Sequence, residues 1–212
     1  MSKQIKVWDP LVRIFHWSLL LFFTLAYFTG EEESSIHIYS GYIVLGLIIF
    51  RLIWGLIGSK YARFTQFVCA PKEIISYTKA FLSLSPKHYL GHNPLGGVMV
   101  LMLLASLFVV TLSGLKLYAV EEGEGPFAAI DNISLVSNAY ADKLYADEDQ
   151  EDENEGDGNE EGEYFWEDIH EASADFMVFL IFLHIAGVLV SGRIHNENLI
   201  KAMITGKKNI DN

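Results

Sequence analysis

Seven histidines occur in the chain, and four of them, His16, His37, His170 and His184, fall in or at the ends of stretches that are otherwise apolar. Imidazole is the commonest protein ligand for a metal ion and a frequent axial ligand of haem iron. An ionisable side chain inside a bilayer is costly and is usually kept for function. The spacing within the stretch IHEASADFMVFLIFLHIAG narrows the chemistry: His170 and His184 are fourteen residues apart. In a helix that is about 21 Å along the axis and within about 40° of the same face. One helix would then present two imidazoles in one direction at two depths. His16, just inside the first apolar stretch, is level with His184, and His37, at the head of the second, is level with His170. Two pairs at two depths, drawn from three helices, are what two bis-histidine haems stacked across a membrane require. A histidine-lined path for metal ions or protons is the competing chemistry.

Positioning such pairs needs helices that cross the bilayer. Four apolar stretches, at about residues 11–29, 38–57, 95–117 and 169–191, are each near the ~20 residues that a helix needs to span the hydrocarbon. The expected fold is therefore all-α: an integral membrane four-helix bundle, one domain over residues 1–212, with a long acidic periplasmic loop at 119–168 between the third and fourth helices. The first stretch follows Pro10 and ends in TGEEESS without a small-residue cleavage site, so it reads as a retained span and not a secretory signal. In GHNPLGG, Asn93 suits a helix N-cap and Pro94 the first helical position of the third span. KEIISYTKAFLSL, between the second and third spans, carries apolar residues at helical spacing with lysines opposite and suits an in-plane helix on membrane lipid.

Charge is distributed unevenly. The chain carries a net −12, but residues 119–168 alone hold 18 of the 27 acids and one lysine, leaving the remainder at +5. Within that loop, DEDQEDENEGDGNEEGE at 147–163 reads as disordered low-complexity acid, whereas the mixed segment before it suits short helices. The acid serves either as a solvated surface or as an attractor of a basic partner. Nothing in the chain suits nucleic acid. Lysine and arginine concentrate in the loops on the side of the two termini, with only Lys116 and Lys143 opposite, which places both termini in the cytoplasm. Cys69 is the only cysteine, so there is no intramolecular disulfide, no C-x-x-C-H haem attachment and no thiolate set for an iron–sulfur cluster.

Several further residues lean on the same region. Gly41 lies one turn below His37, where a side chain would meet a porphyrin face, and Gly46 extends the small strip; close helix packing explains both equally well. Arg51 shares the face of His37 at the depth of His16 and His184, suiting haem propionates or snorkelling to the inner surface. Trp17 and Trp54 suit the haem surround or the interfacial aromatic belt. His92, beside the start of the third span, is the rival ligand to the inner pair. His88 and His195 fall in cytoplasmic segments, and Glu171 and Asp175 could relay a proton.

The segments VWDPLVRIFHW, HIYSGYIVLGLIIFRLIWGLIGSKYARF, GHNPLGG and LHIAGVLVSGRIHNENLIKAMITGKK resemble the prokaryotic cytochrome b561-like family, which includes the cytochrome b subunit of nickel-dependent hydrogenases. The resemblance covers nearly everything outside the acidic loop. It implies a four-helix cytochrome of the bacterial inner membrane with two haem b, passing electrons between quinone or quinol and a redox partner. Its ligand positions match His16, His37, His170 and His184, and its Arg-x-x-Trp-Gly stretch matches Arg51, Trp54 and Gly55. The acidic insertion departs from simpler members. It suits a periplasmic c-type cytochrome better than a hydrogenase or other dehydrogenase subunit, and a haem-free transporter is the reading from a different class.

Overall fold

The structure is a computed structural model that describes residues 3–30, 34–128 and 157–210. The regular elements are almost all helical: α1 (Pro10–Phe28), α2 (Ser35–Ile57), α3 (Pro71–Leu82), α4 (Pro94–Glu121), α5 (Asp157–Ile194) and α6 (Leu199–Thr205), with two short strands, β1 (Lys3–Lys6) and β2 (Lys207–Ile210). α1, α2, α4 and residues Gly162–Ile194 of α5 are long and apolar enough to cross a membrane. Large apolar side chains along them stand exposed, Phe28 at 79%, Ile57 at 73% and Phe182 at 68%. A lipid surround removes such surface from water. The chain is an all-α membrane protein.

Local chemistry accounts for the helix starts. Asp9 caps α1, its Oδ1 accepting from Val12 N at 3.0 Å, and Ser34 caps α2 through His37 N. Asn93 Oδ1 accepts from Gly96 N at 2.7 Å ahead of Pro94, as the sequence leads one to expect. The sequence-based bounds prove too short for the last span. α5 already runs from Asp157, so the acidic run expected to be disordered is helical over 157–163. Carboxylates in the first turns of a helix are favoured by the exposed N–H groups and the positive end of the dipole. Residues 147–156 of that run, and most of the segment expected to form short helices, lie outside the described residues.

The chain divides into two compact units, residues 1–107 with 176–212, and residues 108–175. In the first, α1 packs against α2. The two strands, unforeseen from the sequence, pair antiparallel with Lys3 opposite Ile210 and Lys6 opposite Lys207. Gly206, at φ 79°, ends α6 in the left-handed region, and its carbonyl accepts from Val7 N at 2.9 Å and Trp8 N at 3.1 Å. Segments near the two ends of the sequence are thus clasped together.

An ion network locks the clasp. Lys208, 6% exposed, donates to Glu197 Oε2 at 2.9 Å, and His88 Nε2 lies 2.9 Å from Glu197 Oε1. Burial pushes the Glu197 carboxyl up, but hydrogen bonds from Lys208 and His88 outweigh it and hold the group below its ordinary 4.5. A carboxyl lowered in the folded state stabilises fully above its unfolded value and loses that contribution as pH falls through the folded one. The clasp is therefore expected to be firm at neutral pH and to loosen below about 4.5. Amide exchange of residues 3–8 and 199–208 across pH 3 to 7 checks this, and Glu197→Gln should show fast exchange throughout.

Candidate functional site

The buried face of α2 is built by spacing. Ser40, Val44, Ile48, Arg51 and Gly55 recur at intervals of three and four and are all buried, and His37 heads the same stripe. At its other end, Arg51 is only 3% exposed; its Nη2 donates to Ala62 O at 3.1 Å and its guanidinium lies 4.9 Å from the centre of the Phe64 ring. Snorkelling is excluded by that burial. A Cβ on Gly55 would fall 2.1 Å from Phe64, so only glycine lets this ring lie against the helix beneath Arg51. Trp54 Nε1 donates to Asp9 Oδ2 at 3.2 Å and Ser59 Oγ donates to the same oxygen. Arg51, Trp54 and Gly55 thus act together, one buried cation, one tie to the α1 cap and one seat for Phe64.

The four histidines are all partly buried. In the first unit, His16 and His184 are close enough to influence one another electrostatically, and His16 Nδ1 is buried with no hydrogen-bond partner. His37, also in this unit, donates from Nδ1 to the Ala26 carbonyl at 2.9 Å across the α1–α2 turn. In the second unit, His170 donates from Nδ1 to the Val110 carbonyl at 3.0 Å, with Ser113 Oγ at 3.2 Å from the same nitrogen. A carbonyl acceptor fixes the proton on Nδ1 and leaves the lone pair on Nε2. That second-sphere arrangement orients a metal-ligating imidazole and raises its basicity. His170 and His184 lie on the one continuous helix α5.

The glycines separate into two kinds. A Cβ on Gly41 or Gly46 would meet nothing within 4 Å, so close helix packing does not account for either. A Cβ on Gly114 would come within 2.8 Å of His170 Cε1, so this glycine admits the imidazole against α4. Outside the spans, His92 packs between the rings of Trp8 and Phe67, both 4.7 Å away, and its Nδ1 is buried without a partner. Part of its edge reaches the surface, yet burial drives it down to about 3, helped by the charges of Arg51, Lys208 and His184. Cys69 is inert by comparison, its thiol pushed up by burial and by Glu73.

Residues 7–206 match the family described as prokaryotic cytochrome b561. The chain belongs to this family. Proteins named "Probable Ni/Fe-hydrogenase B-type cytochrome subunit" are among its relatives: one from Rhizobium leguminosarum bv. viciae, 30% identical over 58% of this chain and 62% of its own length, and one from Cupriavidus necator, 29% identical over 58% and 62%. Another, from Azotobacter vinelandii, is 21% identical over 97% of this chain and 88% of its own. The chain thus spans less than two thirds of the length of the first two. No solved structure matches.

This cytochrome b561 homologue is a multi-pass membrane b-type cytochrome, and the family carries b-type haem. Its residues fit such a group: half-buried histidines whose Nδ1 is held by a carbonyl at His37 and His170, an unsatisfied buried nitrogen on His16, and open space at Gly41. Sequence reasoning missed Gly114 and Ser113. Their signal is the small pair Ser-Gly inside an apolar span, which only becomes meaningful once His170 is set opposite. His88 and His195, placed in cytoplasmic segments from the sequence, face each other with ring centres 5.1 Å apart.

Proposed function

We propose that this cytochrome holds two b haems, one between His16 and His184 and one between His37 and His170, and conducts electrons across the bacterial inner membrane between the quinone pool and a periplasmic partner. The observation that supports this reading is the pair of Nδ1-to-carbonyl hydrogen bonds at His37 and His170, the kind of contact that orients a metal-ligating imidazole. Bound haem supplies one-electron redox chemistry. The chain's own part is positional. Two imidazoles per iron would leave it no place for oxygen chemistry, Gly41 would leave room for a porphyrin, and Arg51 would supply a cation for a propionate. The fourteen-residue spacing of His170 and His184 would set the two sites about 21 Å apart along one helix. A redox difference spectrum of the detergent-purified protein, with extracted haem quantified, is expected to give two b haems per chain. A colourless protein would instead favour a histidine-based ion or proton path.

Both termini belong in the cytoplasm on this reading, supported by the lysines of the clasp and the loops beside it. The periplasmic partner is a basic c-type cytochrome, drawn by a segment with a net −17 over residues 119–168. Reduction of a lysine-rich cytochrome c by the dithionite-reduced protein should slow about tenfold or more between 20 and 200 mM salt, as steered encounters do. Deleting residues 147–163 should flatten that dependence. The names of the relatives favour a second reading, a membrane anchor for a hydrogenase, for which co-purification with a large metal-containing subunit is the test.

A further inference from the structure

Around Arg51 the protein leaves a buried cation half satisfied. Its Nη2 is used by the Ala62 carbonyl and its face by Phe64, but Nη1 is buried with no acceptor. The anions nearby are spoken for. Asp9, which Arg51 feels electrostatically, spends Oδ1 on Val12 N and Oδ2 on Trp54 and Ser59. Glu197 is taken by Lys208 and His88. A second buried polar atom is equally bare: His92 Nδ1, on a ring close enough to sense Arg51, Lys208 and His184. A buried guanidinium N–H without an acceptor is strongly unfavourable, and its planar donor set matches a carboxylate.

We propose that Arg51, through Nη1, and His92, through Nδ1, form the seat of a propionate carboxylate of the haem held between His16 and His184. This rests on the cytochrome reading above. It adds His92 to the site as a positioning residue, where the sequence offers it only as a rival iron ligand. It also explains why Arg51 can be buried so fully while carrying charge: the carboxylate completes its hydrogen bonds. Trp8 and Phe67 hold the His92 ring in place from either side, and the clasp keeps Trp8 there through its N–H to Gly206.

The test uses the full-length, haem-loaded protein and two readouts other than electron-transfer rate: the propionate bending bands in the resonance Raman spectrum and the midpoint potential of each haem. Bands absent from His184→Ala belong to the haem in question. Arg51→Gln should shift those bands and disfavour reduction of that haem about tenfold, or ~59 mV for one electron, because a cation beside it has gone; the other haem should be unmoved. Arg51→Lys should recover most of the potential, and His92→Phe should shift the bands with a smaller change in potential. A two-haem parent whose bands and potentials are the same in Arg51→Gln overturns the seat alone. A colourless parent overturns it together with the cytochrome reading. If Arg51→Gln cannot be purified, Arg51→Lys and His92→Phe decide in the same terms, and unchanged bands in both overturn the seat.

Discussion

Replacing His184 with alanine is expected to remove one of two b haems from the purified protein and leave the other, and His37→Ala to remove the complementary one. The two variants should be mirror images because the histidines that each leaves behind belong to different pairs. An iron that lost one of its two imidazoles would keep a single protein bond, too little with the remaining contacts to hold the haem through detergent extraction. The expected loss is about one haem per chain in each variant, with the reduced band of the remaining haem intact. Haem extraction with pyridine, per polypeptide, measures the first quantity and a low-temperature difference spectrum the second. If both variants kept two haems, the ligands would lie elsewhere, and His92 would be the first place to look.

Gly114→Val is expected to have an effect of the same size without touching a ligand. Already a Cβ at this position would stand 2.8 Å from His170 Cε1 and 3.1 Å from Nδ1, and a β-branched side chain in a helix has little rotamer freedom to yield. The imidazole must give way. In moving it loses the Val110 carbonyl and the Ser113 hydroxyl, and with them the tautomer and ring plane that present Nε2. Occupancy of the haem assigned to His37 and His170 should fall by more than half, while the other haem is retained at full occupancy. Ser113→Ala, which removes only the weaker of the two contacts, should leave both haems in place. Were Gly114→Val to retain both haems with unaltered spectra, His170 would not be an iron ligand.

The spans were legible because burial in lipid demands a long apolar run whatever the neighbours are, and because Asn93 and Pro94 mark a helix start locally. Arg51 was legible as special but not in its setting. Its depth follows from helix geometry, whereas its burial depends on Phe64 folding back over Gly55, a contact that no periodicity announces. Gly41 was likewise ambiguous between packing and clearance until the space around it was known. The early start of α5 was hidden by composition: aspartates and glutamates that read as a solvated tract are also good first-turn residues when an apolar helix follows. The pairing of β1 with β2 was invisible for a different reason. Four residues rich in lysine carry no usable alternation, and their partner lies almost the whole chain away.

That pairing has a consequence for the order of assembly. In chain order β1 precedes every apolar helix and β2 follows them all. The contact between them closes the largest loop in the protein and is entropically the last to form. Until then Val7 and Trp8 lack the Gly206 carbonyl, and Glu197 lacks Lys208. Throughout translation the polar end of the molecule is therefore an unlatched door. A cofactor arriving before the strands pair meets an entrance, and their pairing shuts it behind.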